Sequence, residues 1–329
     1  MTFRSIKPPV LKPLGTVAAV AVLVLGAAPG ARAASGGEPA QFAAQANWPS
    51  GTYASPAFTP DGETLFVTYS VETPAGRRST IMMSHRVGAG WSTPQTAPFS
   101  GRWRDLETTM APDGSYLVFA SNRPAAESGQ PLDAFYAGAA RPGRGGNLWR
   151  VDRLGRGWSA PARLPDVINS NTSVFAPAIS GNGDLIFMQP DPATSKFRLY
   201  RSHRSGGAYG PPAPLSFSDG LISDYDPAIA PDGSFIVFSS SRSPTPKDAG
   251  EPALFIAAAD GEGWRQPVAL APMALGTEAR LSPNLLTLYF ATTRPTPAAP
   301  APQAGADQKI WTVRLPVAKH SRGSAPGSS

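Results

Sequence analysis

The chain has 329 residues, of which 41% are hydrophobic; it contains 37 prolines, 33 glycines and no cysteine. That length is enough for one large domain, and without cysteine neither a disulfide framework nor a lipid-modified N-terminal cysteine is available. The formal net charge of +6 is concentrated at the start, where residues 1–33 hold Arg4, Lys7, Lys12 and Arg32 and no acid, so the remainder carries only +2 and shows no basic stripe of the kind nucleic-acid binding requires.

Residues 1–33 read as a secretory signal peptide. A positive start is followed by an apolar run from Leu14 to Gly26 and by the small-x-small site Ala31-Arg32-Ala33. The run is too short for a comfortable membrane span. The sequence therefore implies a chain exported to the periplasm or the medium, beginning near Ala34, with no membrane span after cleavage.

Beyond residues 36–50 a turn recurs along the chain: Pro60-Asp61-Gly62, Pro112-Asp113-Gly114, Gly181-Asn182-Gly183, Pro231-Asp232-Gly233 and Pro283-Asn284, the last without its glycine. Proline presets φ for the first turn position, Asp or Asn bonds its own backbone, and glycine accepts φ > 0. A short apolar segment leads into each turn and a β-branched or aromatic run leads out, as in Phe235 to Phe238; this is the pattern of a β-hairpin. The Asp/Asn positions lie 52, 69, 50 and 52 residues apart, a period that belongs to propeller blades. No long window has helical periodicity.

Two further landmarks come after each hairpin. Ile81-Met82-Met83, Leu148 to Val151, Leu199-Tyr200, Leu254 to Ile256 and Ile310 to Val313 read as a third strand. An aromatic with proline three residues on, Trp91/Pro94, Trp158/Pro161, Tyr209/Pro212 and Trp264/Pro267, reads as an outermost strand, where proline is best tolerated. The segment Lys309 to Leu315 supplies a third strand with no fourth after it, whereas residues 36–50 hold Pro39 and Phe42 where an outer strand should be. The two ends complete each other. The expectation is an all-β propeller over residues 34–316, with five four-stranded blades closed by the N-terminal strand and a disordered tail at 317–329. A sixth blade would need about fifty more residues, unless the longest insertion hides one. The connections between second and third strands vary most (71–79, 124–146, 190–196, 243–252 and 295–308) and should share one face, opposite the turns. The last, rich in Pro and Ala, reads as extended and mobile.

The hairpin Asp224-Tyr225-Asp226-Pro227 through Pro231-Asp232-Gly233, its sequel Phe238-Ser239-Ser240-Ser241-Arg242, and the Gly-Trp-Ser-x-Pro segments at Gly90–Pro94 and Gly157–Pro161 resemble the WD-like proline–aspartate repeat of TolB-type β-propellers. The resemblance covers nearly all of residues 34–316 and implies fold more than function. TolB-type proteins also have a separate N-terminal α/β domain through which they meet partners. The segment before Tyr53 leaves no room for one, so those interactions are not carried over.

One chemical pattern tracks the repeat. Six residues before the turn Asp/Asn stand Ser55, Glu107, Ala176, Asp226 and Glu278; ten residues after it stand Val71, Arg123, Pro192, Arg242 and Arg294. The second, fourth and fifth repeats hold both an acid and an arginine, and the others hold neither. This is the signature of a structural ion pair, within a blade or between neighbours. Its functional reading is a carboxylate-lined channel mouth, helped by Asp105 and Asp224, that binds a cation or cationic ligand.

No catalytic constellation is evident. Of three histidines, His320 lies in the tail, and His85 and His203 recur at one repeat position in Ser-His-Arg, as architecture does. There is no Gly-x-Ser-x-Gly elbow, zinc spacing, phosphate-cradling loop, dinucleotide fingerprint or complete calcium loop, and no cofactor is implied. The tryptophans Trp91, Trp158 and Trp264 could serve as sugar platforms, but their periodicity makes them packing residues first. The sequence thus points to a monomeric, non-catalytic scaffold that binds an envelope protein or glycan through its loop face. The alternatives are a carbohydrate-active hydrolase or lyase using Glu107, Asp226 or Glu278, and a structural component of an envelope complex.

Overall fold

A computed structural model describes residues 34–315 except 36, 75, 127–128, 243–251, 272–274, 301 and 304. The leader expected at 1–33 and the tail expected at 317–329 lie outside the described residues. The molecule is a five-bladed β-propeller. From the axis outward, the first three strands of each blade are Thr52–Phe58, Thr64–Thr73 and Gly76–Val87 in blade 1; Asp105–Met110, Tyr116–Ser121 and Asn147–Leu154 in blade 2; Phe175–Ile179, Leu185–Pro190 and Phe197–Ser202 in blade 3; Asp224–Ile229, Phe235–Ser240 and Ala253–Asp260 in blade 4; and Thr277–Leu281, Thr287–Thr292 and Lys309–Arg314 in blade 5. Each sheet is covered on both faces by neighbouring blades. Each second strand therefore carries a continuous apolar run instead of an alternating one, and every residue of Phe235–Ser240 is buried.

The five turns close alike. In each, the Asx Oδ1 accepts the N–H two residues on: Asp61 from Glu63, Asp113 from Ser115, Asn182 from Asp184, Asp232 from Ser234 and Asn284 from Leu286, at 3.0 to 3.1 Å. Where the fifth turn lacks glycine, Leu285 itself takes φ 58°.

The ring closes as the chain ends imply. Ala40–Gln41 pairs antiparallel with Trp311 and Thr312 as the outer strand of blade 5. The rest of the N-terminal segment is a plug instead of a strand. A 3-10 turn over Ala43–Asn47 lets Gln45 Oε1 accept the Ile310 N–H at 2.8 Å. Trp48 enters a cluster with Tyr53, Leu65, Val67 and Ile310. Ala34–Ser35 also pairs in parallel with Leu270–Ala271, the outer edge of blade 4.

The fold departs from the sequence reading in several details. The aromatics Trp91, Trp158, Tyr209 and Trp264 sit on short hairpin extensions beyond the third strand. The outer strands proper, Gln95–Thr96, Ala162–Arg163, Ala213–Pro214 and Val268–Ala271, come after the landmark proline. Each proline thus falls in the gap between two pairings, where its missing N–H is not needed. In blade 1 the strands run on to Thr73 and from Gly76, so the connection is far shorter than 71–79. Among its described residues the 124–146 insertion forms a hairpin of Ala134–Tyr136 with Ala139–Arg141 and no further blade. Residues 295–300 turn back, with Arg294 donating to the Ala299 carbonyl at 3.1 Å, and are not extended. Among the described residues no helix is long and apolar enough to cross a membrane.

Candidate functional site

The site begins with a fault repeated in every inner strand. Pairing with the second strand slips between Ala54 and Ala57, Leu106 and Thr109, Phe175 and Ala178, Tyr225 and Ala228, and Thr277 and Arg280. The first unpaired residue of each bulge has positive φ: Ser55 49°, Glu107 57°, Ala176 47°, Asp226 53° and Glu278 57°. These are the five positions six residues before the turn. None is glycine, so each costs about 1–2 kcal/mol in backbone strain and persists only if its surroundings hold it there. In blades 1, 3 and 4 proline comes next, at Pro56, Pro177 and Pro227, where the ladder asks for no N–H.

Hydrogen bonds between blades supply that hold. The Ala176 N–H donates to Glu107 Oε2 at 2.7 Å, and the Glu278 N–H donates to Asp226 Oδ2 at 2.8 Å. The Ser55 hydroxyl donates to the Glu278 carboxylate, and the Glu107 N–H donates to the Thr68 hydroxyl at 2.9 Å. Each bond ties a bulge to the preceding blade, so four of the five junctions are sewn at the axis. Blade 3 offers only Ala176, whose methyl cannot accept, and the junction of blades 3 and 4 is instead tied at the turns by the Gly181 N–H on the Pro231 carbonyl at 2.6 Å.

The arginines pair elsewhere. Arg123 meets Asp105 at 2.7 Å and Arg242 meets Asp224 at 2.9 Å, both with aspartates two residues before the bulge acids. Asp105 also accepts from Ser121 at 2.6 Å and Ser100 at 2.8 Å, and Asp224 accepts from Ser240 at 2.6 Å. Arg123 lies over the rings of Phe119 and Trp149, and Arg242 over Phe238 and Phe255. The pairing of Glu107 with Arg123 and of Asp226 with Arg242 expected from sequence is thereby corrected. The bulge turns those acids toward the next blade, and the position two residues earlier, opposite the end of the second strand, faces the arginine. In blade 5 that position is Gly276, and Arg294 donates to loop carbonyls.

Along the axis, Glu107 and Asp226 are buried with Glu278 close by. Burial first, then the other carboxylates, push Glu107 up to about 8 and Asp226 up to about 7. Arg280, two residues after Glu278, is buried among them and donates to the carbonyls of Thr108 at 3.0 Å and Ala279 at 2.7 Å. Burial lowers its pKa, against the pull of Asp226, Glu278 and Glu107.

The two ends of the channel differ. On the turn face a cavity of about 350 Å³ is walled by Pro60, Pro112, Pro231, Pro283 and Leu285, with Arg280 also lining it. On the loop face a polar cavity of about 390 Å³ has Glu107 and Glu278 among its lining together with Arg77, Arg104, Arg141 and Arg144. Of the eight residues the sequence singled out, only Glu107 and Glu278 line this mouth. Asp226 lines neither cavity; Asp105, Asp224, Arg123 and Arg242 form the two ion pairs; and Arg294 serves its own loop. The mouth arginines went unnoticed because three of them stand in or beside variable connections, where no repeat marks them.

The histidines are placed by strand architecture. His203 Nδ1 lies 3.0 Å from Asp184, which also accepts from Arg201 at 2.7 Å and from the Arg204 N–H at 2.8 Å; His85 lies 3.3 Å from the Thr64 hydroxyl. Trp158 meets Phe66 and Phe99 edge-on, Trp264 meets Phe217 in the same way, and Trp91 tilts against Phe58. All three are packing residues. Among the described residues no group of three or more His, Asp or Glu is placed to hold a metal ion.

Fold and axis together define a five-bladed propeller of WD-like proline–aspartate repeats sewn by acids at its centre, and the resemblance to TolB-type propellers holds at the level of fold. Comparison with solved structures finds TolB from Agrobacterium tumefaciens (16% identity over 73% of this chain and 70% of that chain, TM-score 0.47). It also finds TolB from Acinetobacter baumannii (15% identity over 80% of this chain, TM-score 0.45), of which the chain spans about half, 54%. A thermostable family-43 glycoside hydrolase is similar at 11% identity over 84% of this chain and 96% of that one, with TM-score 0.51. Likeness at such identities is one of fold. No protein-family model matches the chain, and no curated protein matches it.

Proposed function

We propose that this chain is an exported, non-catalytic binding propeller whose working surface is the loop-face mouth of its channel. The observation that carries this reading is the division of labour at the axis. One carboxylate oxygen of each of Glu107, Asp226 and Glu278 accepts a hydrogen bond from the next blade, while the arginines above them face the loop-side cavity. Export rests on the leader-like composition of residues 1–33. A hydrolase would need two carboxylates free to act on a bond lying between them. Here Asp226 lines neither cavity, and Glu107 and Glu278 are tied to Ala176 and Ser55.

The test is a glycan-binding screen run beside a pull-down from envelope extracts, using the wild type and an Arg141→Glu/Arg144→Glu variant. Binding that the variant loses while keeping the wild-type melting curve is expected. Capture that is indifferent to the variant would place the working surface elsewhere.

A further inference from the structure

The loop-face mouth holds more positive charge than its own acids answer. Arg104 is the pivot. Its backbone N–H is taken by Asn122 Oδ1 at 2.8 Å, but its side-chain Nε and Nη1 are buried with no hydrogen-bond partner among the described residues. Donors buried in this way are costly. Burial lowers the Arg104 pKa and Glu107 opposes it; a second guanidinium, that of Arg144, is near enough to lower it further, against smaller pulls from Tyr136 and Glu278. Arg144 itself donates to the Arg77 carbonyl at 3.3 Å, which leaves the rest of its fork toward the mouth. Arg141 lies 5.3 Å from the centre of the Tyr136 ring and adds a third cation at the rim. Glu72, 3.8 Å from Arg77, is largely exposed, so it neutralises little.

An oxyanion that accepts from two guanidinium forks at once would satisfy Arg104 and relieve its repulsion with Arg144. Beside Ala54 and Leu106, the rest of the cavity is lined by hydroxyls and an amide, including Thr52, Ser70, Ser79 and Gln308. Such walls suit a ligand that is itself rich in hydroxyls. The volume of about 390 Å³ is at the small end of ligand sites, enough for one sugar ring.

We infer that the loop-face mouth binds a small carboxylated sugar, a uronic acid or the terminal uronate of a longer glycan, with its carboxylate between Arg104 and Arg144 and its hydroxyls against the Thr52 and Ser79 side of the cavity. This deepens the loop-face reading and rests on it. Two acids share the lining: burial and then Asp226 and Glu278 push the Glu107 pKa up, which weakens its repulsion of a ligand carboxylate, and the Glu278 carboxylate accepts from the Ser55 hydroxyl.

The experiment is isothermal titration of the full chain with glucuronate, glucose and inorganic phosphate at neutral pH, repeated on Arg104→Met and Arg144→Met. Expected is glucuronate binding that falls at least about tenfold, roughly 1.4 kcal/mol, in either variant, weakens with added salt, and is not matched by glucose or by phosphate alone. Arg144 is only half-buried, so its variant keeps the test alive should Arg104→Met fail to fold. Absence of glucuronate binding, equal binding of glucose or phosphate, or wild-type affinity in the folded variants overturns the inference. If glucuronate fails while another glycan or a protein is still captured in a way that Arg141→Glu/Arg144→Glu abolishes, the ligand class is wrong and the loop-face reading stands. If nothing is captured at all, both fall.

Discussion

At the residue scale the decisive distinction is between acids that pair with arginine and acids that sew blades. Asp105 is fully buried and Arg123 nearly so. Arg123→Ala should therefore strand a carboxylate and cost on the order of 3–5 kcal/mol, and removing both partners should recover much of that loss. A double-mutant cycle by urea denaturation checks this: large coupling is expected for Asp105/Arg123 and Asp224/Arg242, little for Glu107/Arg123, and the reverse ranking would contradict the geometry. The sewing acids make a second prediction, in pH. Glu107 and Asp226 hold protons more tightly folded than unfolded. The stability this gives is complete below the ordinary carboxylate range, near pH 4, and is lost as pH rises through about 7 and about 8. Asp184 and Asp191 act in the opposite sense: hydrogen bonds and arginines outweigh their burial and lower their pKa, so their contribution is lost as pH falls below the ordinary range. Glu107→Gln keeps an amide oxygen for the Ala176 N–H and should flatten the decline between about pH 5 and about pH 8, measured as unfolding free energy. Profiles parallel to the wild type would show that Glu107 does not titrate in this way in the folded chain. The sequence displayed both sets of acids, since each recurs with the repeat. It could not separate them, because a one-residue bulge decides which acid faces the arginine, and a bulge built on Ser, Glu, Ala, Asp and Glu leaves no glycine to mark it.

At the scale of elements, closure depends on a few residues near the N-terminus. Among the described residues the segment gives blade 5 only Ala40–Gln41 as strand, so most of the hold on that blade must come from the plug behind it. Trp48 is buried against Tyr53, their ring centres 5.1 Å apart. Trp48→Ala should cost about 3–5 kcal/mol, and deletion of residues 37–48 should abolish cooperative unfolding. A deletion variant with the wild-type melting curve would refute closure by this segment. The hairpins, third strands and complementary ends were legible because turn chemistry and buried apolar runs are local. The plug was not, because a 3-10 turn with one buried tryptophan carries no period. The hairpin extensions were misplaced for a related reason: Gly-Trp and the outer strand lie a few residues apart on either side of one proline, and spacing alone does not say which of them pairs outermost.

At the scale of the molecule, the same five bulges give the channel its stability and its polarity. They aim acids across the blade junctions, place Arg280 between those acids, and leave a proline-walled cavity on the turn face and an arginine-rimmed one on the loop face. The question at this scale is whether axial carboxylates hold blades or break bonds. Asp226 separates the two, because it sews blade 4 to blade 5 and lines neither cavity. The most direct measurement is to incubate the wild type and Asp226→Asn with one panel of neutral and acidic glycans, recording bound ligand and released reducing ends for both. A sewing role predicts no release by either protein, and the same ligands bound by both. Release by the wild type that Asp226→Asn abolishes with an unchanged melting point would contradict that role and make the axis a catalytic centre.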